Sequence, residues 1–153
     1  LERVGNGERG GISGLYTVLV DGDDFNEPIA DAALSILDGH IVLSRKLASA
    51  GHFPAIDILQ STSRVRDQVV DGQQRAAANT LIRAEAAYRE KEDLILVGAY
   101  QRGTDPQVDA TIQHRERMLA FLRQMPEEVT RADETRRQMI ELAGCLDTAA
   151  PTQ

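Results

Sequence analysis

The most constraining feature of the sequence is an unbroken apolar run at residues 15–20, Leu-Tyr-Thr-Val-Leu-Val. Apolar and β-branched side chains that do not alternate with polar ones predict a strand buried on both faces, as in a parallel sheet covered by helices. The run ends at Asp21, and open α/β sheets place their ligand and partner loops at the carboxyl ends of their strands. This part of the chain is therefore predicted to be α/β.

Strands and helices alternate as far as Gly51. A helix is predicted from Pro28, which suits the first helical position, to residue 38. A second buried strand follows at 40–44, and a short helix at 45–50 ends at Gly51. This order is typical of a parallel sheet. Two strands are too few for a sheet covered on both faces, so we expect its other strands to come from sequence outside these 153 residues.

Only helices are predicted after residue 71, in the segments 73–90, 106–123 and 130–144. Asp105 and Pro106 suit the N-cap and first position of the second of these helices. Thr130 and Asp133 have the spacing of a capping box at the start of the third. Residues 94–97 fit a strand or a helix equally well by periodicity.

The first of these helices carries an apolar stripe and a charged pair. The stripe consists of Ala77, Leu81, Ala84 and Tyr88. Glu85 precedes Arg89 by four residues, the spacing at which opposite charges meet on a helix surface.

Composition excludes several classes of protein. The net charge of -7 argues against nucleic acid as a partner, because phosphate binding needs a basic surface. Cys145 is the only cysteine, so no internal disulfide can form and a cytosolic location is compatible. No apolar run approaches the roughly 18 residues that a membrane-spanning helix needs.

A phosphate-binding loop is absent from the sequence. Such a loop needs G-x-x-x-x-G-K-[ST], whose backbone amides and lysine hold the phosphates. The two lysines, Lys46 and Lys91, do not follow a glycine. These 153 residues are therefore not expected to hold the β- and γ-phosphates of a nucleotide.

No metal site is predicted either. The acidic residues at 21–27 lack the spacing of a calcium loop, and a solvated or protein-contact loop is the favoured interpretation. The histidines show no zinc spacing, and capping or surface roles are expected for His40, His52 and His114.

The connector, defined as residues 51–64, carries the two most informative side chains. From chemistry alone, Arg64 is an arginine that pairs with a neighbour such as Asp67, or a planar cation offered to a transferring phosphoryl group. Phe53 is a core aromatic or a stacking surface for a purine base. The residues leave both alternatives open.

Four blocks of sequence resemble the bacterial type III secretion ATPases, especially the flagellar export ATPase. The blocks are YTVLVDGDDFNEPIAD at 16–31, SILDGHIVLSR at 35–45, HFPAID at 52–57 and SRV at 63–65. The resemblance extends over roughly residues 1–143. These enzymes are related to the catalytic β-subunit of rotary ATP synthases.

The resemblance implies the last third of a homohexameric ATPase. Residues 1–70 would be the C-terminal part of a RecA-like P-loop nucleotide-binding domain, residues 71–147 an all-helical C-terminal domain, and residues 148–153 a tail. ATP and Mg²⁺ would be bound mainly by residues before Leu1, so the chain alone is predicted to be inactive. The resemblance also implies a helix at 91–100.

Individual residues match family positions. Arg64 matches the arginine finger that acts in trans across the ring interface, and Phe53 matches the aromatic that stacks on adenine. Gln124 and Met125 lie near the other wall of that site, although Pro126 departs from a pattern in which glycine commonly follows the Gln.

Two further segments match the family's stalk-contacting loops. The loop that grips the central stalk is represented by Asp23, Asp24, Asn26 and Glu27. The segment 101–105 takes the place of an acidic loop that drives the stalk in the synthase, but it is not acidic here, which puts strong electrostatic coupling in doubt.

The function implied is ATP hydrolysis coupled to flagellar or injectisome protein export. Expected partners are a central stalk protein, a peripheral-stalk regulator and export chaperones or substrates, with no nucleic acid. The expected location is cytoplasmic, with only peripheral contact to the inner membrane. The alternatives are a non-catalytic helical adaptor that binds a stalk or chaperone, and a subunit of a rotary proton-translocating ATPase.

Overall fold

The computed structural model describes residues 5–20 and 28–147, and its contacts divide the chain into two units, residues 1–37 and 38–153. In the first unit, β1 (Gly5–Gly7) pairs antiparallel with β2 (Gly10–Ile12), and Gly10 takes a positive φ of 115° at the turn. Helix α1 (Pro28–Ile36) begins at the predicted proline.

The predicted buried strand at 15–20 is wrong for this structure. These residues form no strand beyond the end of β2, and Leu15 is 95% exposed. A strand buried on both faces requires strands beside it and helices over it, and no described residue pairs with this segment in a ladder. Local apolar sequence alone does not supply those neighbours.

The second unit begins with short antiparallel pairings rather than the predicted parallel sheet. β3 (Gly39–His40) pairs with β4 (Thr62–Ser63), and a single bridge joins Leu43 to Ile56. Between them, α2 (Arg45–Ser49) forms where a short helix was predicted. The chain returns on itself through the connector, and antiparallel pairing follows from that return. A one-turn helix, α3 (Arg66–Val69), leads towards the helical part.

Four helices make up the remainder: α4 (Gly72–Leu96), α5 (Pro106–Gln113), α6 (Arg115–Leu122) and α7 (Ala132–Asp147). The helix implied at 91–100 is therefore present as far as Leu96, and a turn with Gly98 at a φ of 72° follows. The predicted cap is also present, since Asp105 accepts hydrogen bonds from the N–H groups of Gln107 and Val108 at 2.9 and 3.2 Å.

Two helix predictions need correction. The helix predicted at 106–123 is divided at His114, whose backbone dihedrals leave the helical region. The last helix begins at Ala132, where the carbonyl of Arg131 accepts hydrogen bonds from the N–H and hydroxyl of Thr135 at 2.9 and 3.2 Å, so Thr130 lies outside it. It continues to Asp147, past the expected end at Gly144.

A small apolar core joins α4, α6 and α7. Its buried members are Ala77, Leu81, Ala84, Met118, Leu142, Ala143 and Leu146. The alanines let α4 approach α7 closely, and the larger side chains fill the space between helices. Ile58 of the connector packs against this core, as does Phe121. The connector is therefore part of the packing of the helical domain.

Candidate functional site

The backbone of the connector is fixed against the segment that precedes it. Asp57 donates its N–H to the carbonyl of Val42, and Ser44 donates to the carbonyl of Ala55, both at 2.8 Å. His52 donates its N–H to Leu47 at 3.0 Å. These bonds hold both sides of the Phe53-Pro54 step, so the position of the phenylalanine is set by main-chain contacts.

Phe53 contacts Gln124, a residue that is distant in the sequence. The Gln124 N–H donates to the carbonyl of Phe53 at 2.9 Å. Phe53 is 56% exposed and Met125 is 64% exposed. Glu128 stabilises the segment that contains Gln124 and Met125, because its carboxylate accepts a hydrogen bond from the Met125 N–H at 2.8 Å. The structure thus brings together the three residues that the resemblance placed around one base.

Arg64 lies at the other end of the connector, directly after β4. Its N–H donates to the carbonyl of Asp38 at 2.7 Å, and its side chain is exposed. Asp67, the acidic partner considered from sequence, forms an ion pair with Arg66 at 3.5 Å. Arg64 is an exposed residue of this chain.

The predicted stalk-contacting residues divide between described and undescribed segments. Asp23, Asp24, Asn26 and Glu27 lie outside the described residues. The loop at 101–105 is described, and Asp109 organises it, accepting from the Gly103 N–H at 2.7 Å and from the Tyr100 hydroxyl at 3.1 Å.

The connector also buries two polar residues, His52 and Asp57, whose burial was not predicted. Capping or surface roles were predicted for His52, and the structure excludes the surface role because the residue is buried. Burial, and after it the charge of nearby Arg123, lowers the pKa of His52 below its ordinary value of 6.5. The His52 ring also hydrogen-bonds to the backbone of Leu122, at the end of α6. It is a structural contact between the connector and the helical domain.

Asp57 is the second buried polar residue, at 3% exposure. Its carboxylate accepts from the Leu59 N–H at 3.0 Å and from the Gln60 amide at 3.1 Å. One nitrogen of Arg89 donates to both carboxylate oxygens at 2.9 and 2.8 Å. Burial alone raises the pKa of Asp57, but the hydrogen bond from Arg89 leads the opposing effects, and the pKa lies below its usual value.

The pair extends into a chain of charges. Arg89 also donates to Glu85 at 3.0 Å, and Glu85 accepts in turn from Arg115 at the start of α6. The Arg115 guanidinium lies 4.1 Å from the centre of the Tyr88 ring, a cation–π contact. The Glu85–Arg89 pair was predicted from its four-residue spacing. The contact between Arg89 and Asp57 was not predicted, because no local pattern indicates a contact between a loop and a helix that are far apart in the sequence.

Among residues 5–20 and 28–147, no group of three or more histidine, cysteine, aspartate or glutamate side chains could hold a metal ion. In the same ranges, no helix combines the length and apolarity needed to cross a membrane. The described side chains therefore do not form a Mg²⁺ site.

Two family models match successive parts of the chain, and the boundary between them falls at the end of the connector. Residues 1–63 match the ATP synthase alpha/beta family, nucleotide-binding domain. Residues 70–141 match the T3SS EscN ATPase C-terminal domain. The class of protein is thus a nucleotide-binding ATPase domain, represented by its last portion, followed by a helical domain of the secretion type.

Individual proteins agree with that class. The chain is 47% identical over 151 residues to the flagellum-specific ATP synthase of Treponema pallidum, covering 99% of this chain and 34% of the relative. The assembled ATPase EscN of the enteropathogenic E. coli type III secretion system superposes with a TM-score of 0.89 at 40% identity, covering 93% of this chain and 34% of EscN.

A second EscN structure, in complex with its central stalk EscO, gives a TM-score of 0.84 at 39% identity, covering 94% of this chain and 34% of that one. The chain belongs to the type III secretion and flagellar export ATPase family. It spans about a third of the length of the relatives it matches.

Proposed function

We propose that this chain is the C-terminal part of an ATPase that couples ATP hydrolysis to type III protein export, in a flagellum or an injectisome. The active unit is a homohexamer in which each copy supplies part of two nucleotide sites. The chain's own contribution is one wall of the adenine pocket and one cation for the neighbouring copy's site.

The hydrogen bond between Gln124 and Phe53 carries this proposal. It joins the connector to the segment after α6, and the exposed Phe53 ring and Met125 side chain flank the bond. A purine base needs an aromatic or apolar surface on each face, with stacking worth about 1–3 kcal/mol per base. Phe53 supplies one such surface, and Gln124 with Met125 supplies the other.

Arg64 acts on the nucleotide of a neighbouring copy. Its side chain is exposed at the end of β4, where it can reach across an interface. A planar guanidinium matches the oxygens of a transferring phosphoryl group, and an arginine finger raises turnover by about a thousandfold or more. The phosphates and Mg²⁺ are held by residues outside this chain, because the chain has no Gly-Lys-Ser or Gly-Lys-Thr sequence.

The partners follow from the same assignment. A structure of EscN in complex with its central stalk EscO exists, and Asp23, Asp24, Asn26 and Glu27 are proposed to contact the equivalent stalk here. A peripheral-stalk regulator and export chaperones or substrates complete the assembly. The ATPase is cytoplasmic and meets the inner membrane only through the export apparatus.

The test compares ATP hydrolysis by the full-length protein that contains this chain with hydrolysis by the 153-residue chain. The full-length protein should release phosphate, with a specific rate that rises with protein concentration as rings assemble. The chain alone should show no release above buffer. A full-length protein without turnover at any concentration contradicts the proposal, and turnover by the chain alone contradicts the division of the site between segments.

A further inference from the structure

The buried charges behind the connector form a continuous array, defined here as Asp57, Arg89, Glu85 and Arg115. Two carboxylates and two guanidinium groups alternate along it. Asp57 and Glu85 are 3% and 4% exposed, so both carboxylates are removed from water. A buried charge is tolerated when it is paired and hydrogen-bonded, and each of these two meets that condition.

The array connects three separate elements. Asp57 belongs to the connector, Glu85 and Arg89 to α4, and Arg115 to α6. Ile58, next to Asp57, packs on the core formed by these helices. Charge-assisted hydrogen bonds of this kind are directional, so the array fixes the orientation of the connector as well as its distance from the helices.

Asp57 is also coupled to the shape of the connector itself. Its carboxylate and carbonyl accept from Leu59 and Ser61, while its N–H binds Val42. Phe53 lies one short turn away, between the backbone bonds of His52 and Ala55. Displacement of Asp57 therefore displaces the segment that holds the phenylalanine.

We infer that the array is a positioning device that holds the Phe53 ring in register with the helical domain, so that α4 and the adenine wall move as one body. The inference rests on the proposed nucleotide site, because the array acts only through Phe53. None of its four residues belongs to the proposed base-binding set of Phe53, Gln124 and Met125. Arg89 is the central member, since it alone touches both carboxylates.

The first measurement is amide hydrogen exchange in the full-length protein. In Arg89→Gln, exchange at Asp57, Leu59 and Ser61 should rise about tenfold or more, because all three amides are bonded by or to Asp57, whose carboxylate loses its Arg89 partner. Arg137→Gln is the control, since Arg137 pairs with Glu134 and Glu141 on the surface of α7, away from the connector. Unchanged exchange in Arg89→Gln overturns the inference.

The second measurement is the Kd for ADP with Mg²⁺. Arg89→Gln should raise it about fivefold to tenfold, and no further than Phe53→Ala does, because stacking on that ring is the whole effect. Adding Arg89→Gln to Phe53→Ala should change Kd no further. A merely structural role would instead give additive losses in the double variant, and additivity overturns the inference.

Two further variants control for unfolding and for the loss of the Arg89 charge. Asp57→Asn combined with Arg89→Gln removes both charges, so no lone carboxylate remains buried, and Kd should still rise. Arg89→Lys keeps the charge but cannot span both carboxylates, so its Kd should fall between wild type and Arg89→Gln.

The outcomes separate the two proposals. If Phe53→Ala leaves Kd unchanged, the proposed adenine site is wrong. The hydrogen-exchange data then decide only whether the array holds the connector in place. If Phe53→Ala weakens binding and Arg89→Gln does not, the array is wrong while the site stands.

Discussion

The connector has an exposed set and a buried set of side chains, and the two differ in how they are held. Phe53 and Arg64 are exposed, and backbone hydrogen bonds from their own residues fix their positions. His52 and Asp57 are buried, and their side chains bond to the helical domain. The buried side chains therefore anchor the connector to the helical domain, and Phe53 and Arg64 are the two residues of the connector that are proposed to meet a nucleotide.

Arg64→Ala should have the largest effect and act on turnover alone. We expect ATP turnover by the full-length protein to fall about a thousandfold, because the arginine stabilises charge that develops in the transition state. The Kd for nucleotide should change by less than about twofold. Steady-state hydrolysis and equilibrium binding together check this. A variant that loses binding but keeps its turnover number would remove Arg64 from the proposed role.

Asp57→Ala should have the next largest effect and act on stability. Removing the Asp57 carboxylate leaves Arg89 with Glu85 as its remaining partner and takes the acceptor from the Leu59 N–H and the Gln60 amide, so the free energy of unfolding should fall by about 1–3 kcal/mol. Urea unfolding of the chain measures the loss. Arg137→Ala is the matched control, since it breaks exposed ion pairs on α7 and should leave the urea midpoint unchanged. Equal midpoints for wild type and Asp57→Ala would show that the buried set is not the anchorage.

Phe53→Ala should weaken nucleotide binding without a large change in stability. Phe53 is more than half exposed, so removal of its ring leaves no large cavity, while the loss of stacking should raise the Kd for ADP about tenfold. Phe53→Tyr keeps the stacking face and serves as the control. An unchanged Kd in Phe53→Ala, or an equal loss in both variants, would contradict the base-stacking role.

His52→Gln should have the smallest effect, on the pH dependence of stability. Because the pKa of His52 is lowered on folding, the unfolded chain takes up the proton more readily, and stability falls as pH drops below the ordinary value of 6.5. Arg123 and Arg115 favour the neutral ring, and Glu85 opposes them.

The variant lacks this proton uptake, so its Tm should fall less than that of wild type between about pH 7.5 and about pH 5.5. Differential scanning calorimetry at the two pH values measures the difference. The contribution of Asp57 is lost only at much lower pH, since its pKa is depressed on folding. Parallel Tm curves for the two proteins would show that His52 does not titrate differently on folding.

Local signals predicted several helix ends correctly. The cap at Asp105, the start of α1 at Pro28 and the stop of α2 before Gly51 depend on interactions within a few residues, and each is confirmed. The apolar stripe of α4 also predicted part of the core correctly, since Ala77, Leu81 and Ala84 are buried. Periodicity reports burial directly when a helix packs along one side.

Contacts between distant segments were not predictable in the same way. A strand at 15–20 requires partners that local sequence does not specify, and the burial of His52 depends on α6, which comes much later in the chain. The pairing of Phe53 with Gln124 was reached only through resemblance, because nothing in either local pattern identifies the other. The roles of the site residues remain predictions that the variants above test.

The exposed segment at 15–20 has a practical consequence for handling the isolated chain. Six consecutive residues have high β-propensity and no charge, proline or glycine, and they form no ladder with any described residue. Such a segment is a template for pairing between molecules, so the isolated chain should self-associate at high concentration. Replacing Leu15 and Leu19, which are almost fully exposed, by lysine should suppress that aggregation without touching the helical core.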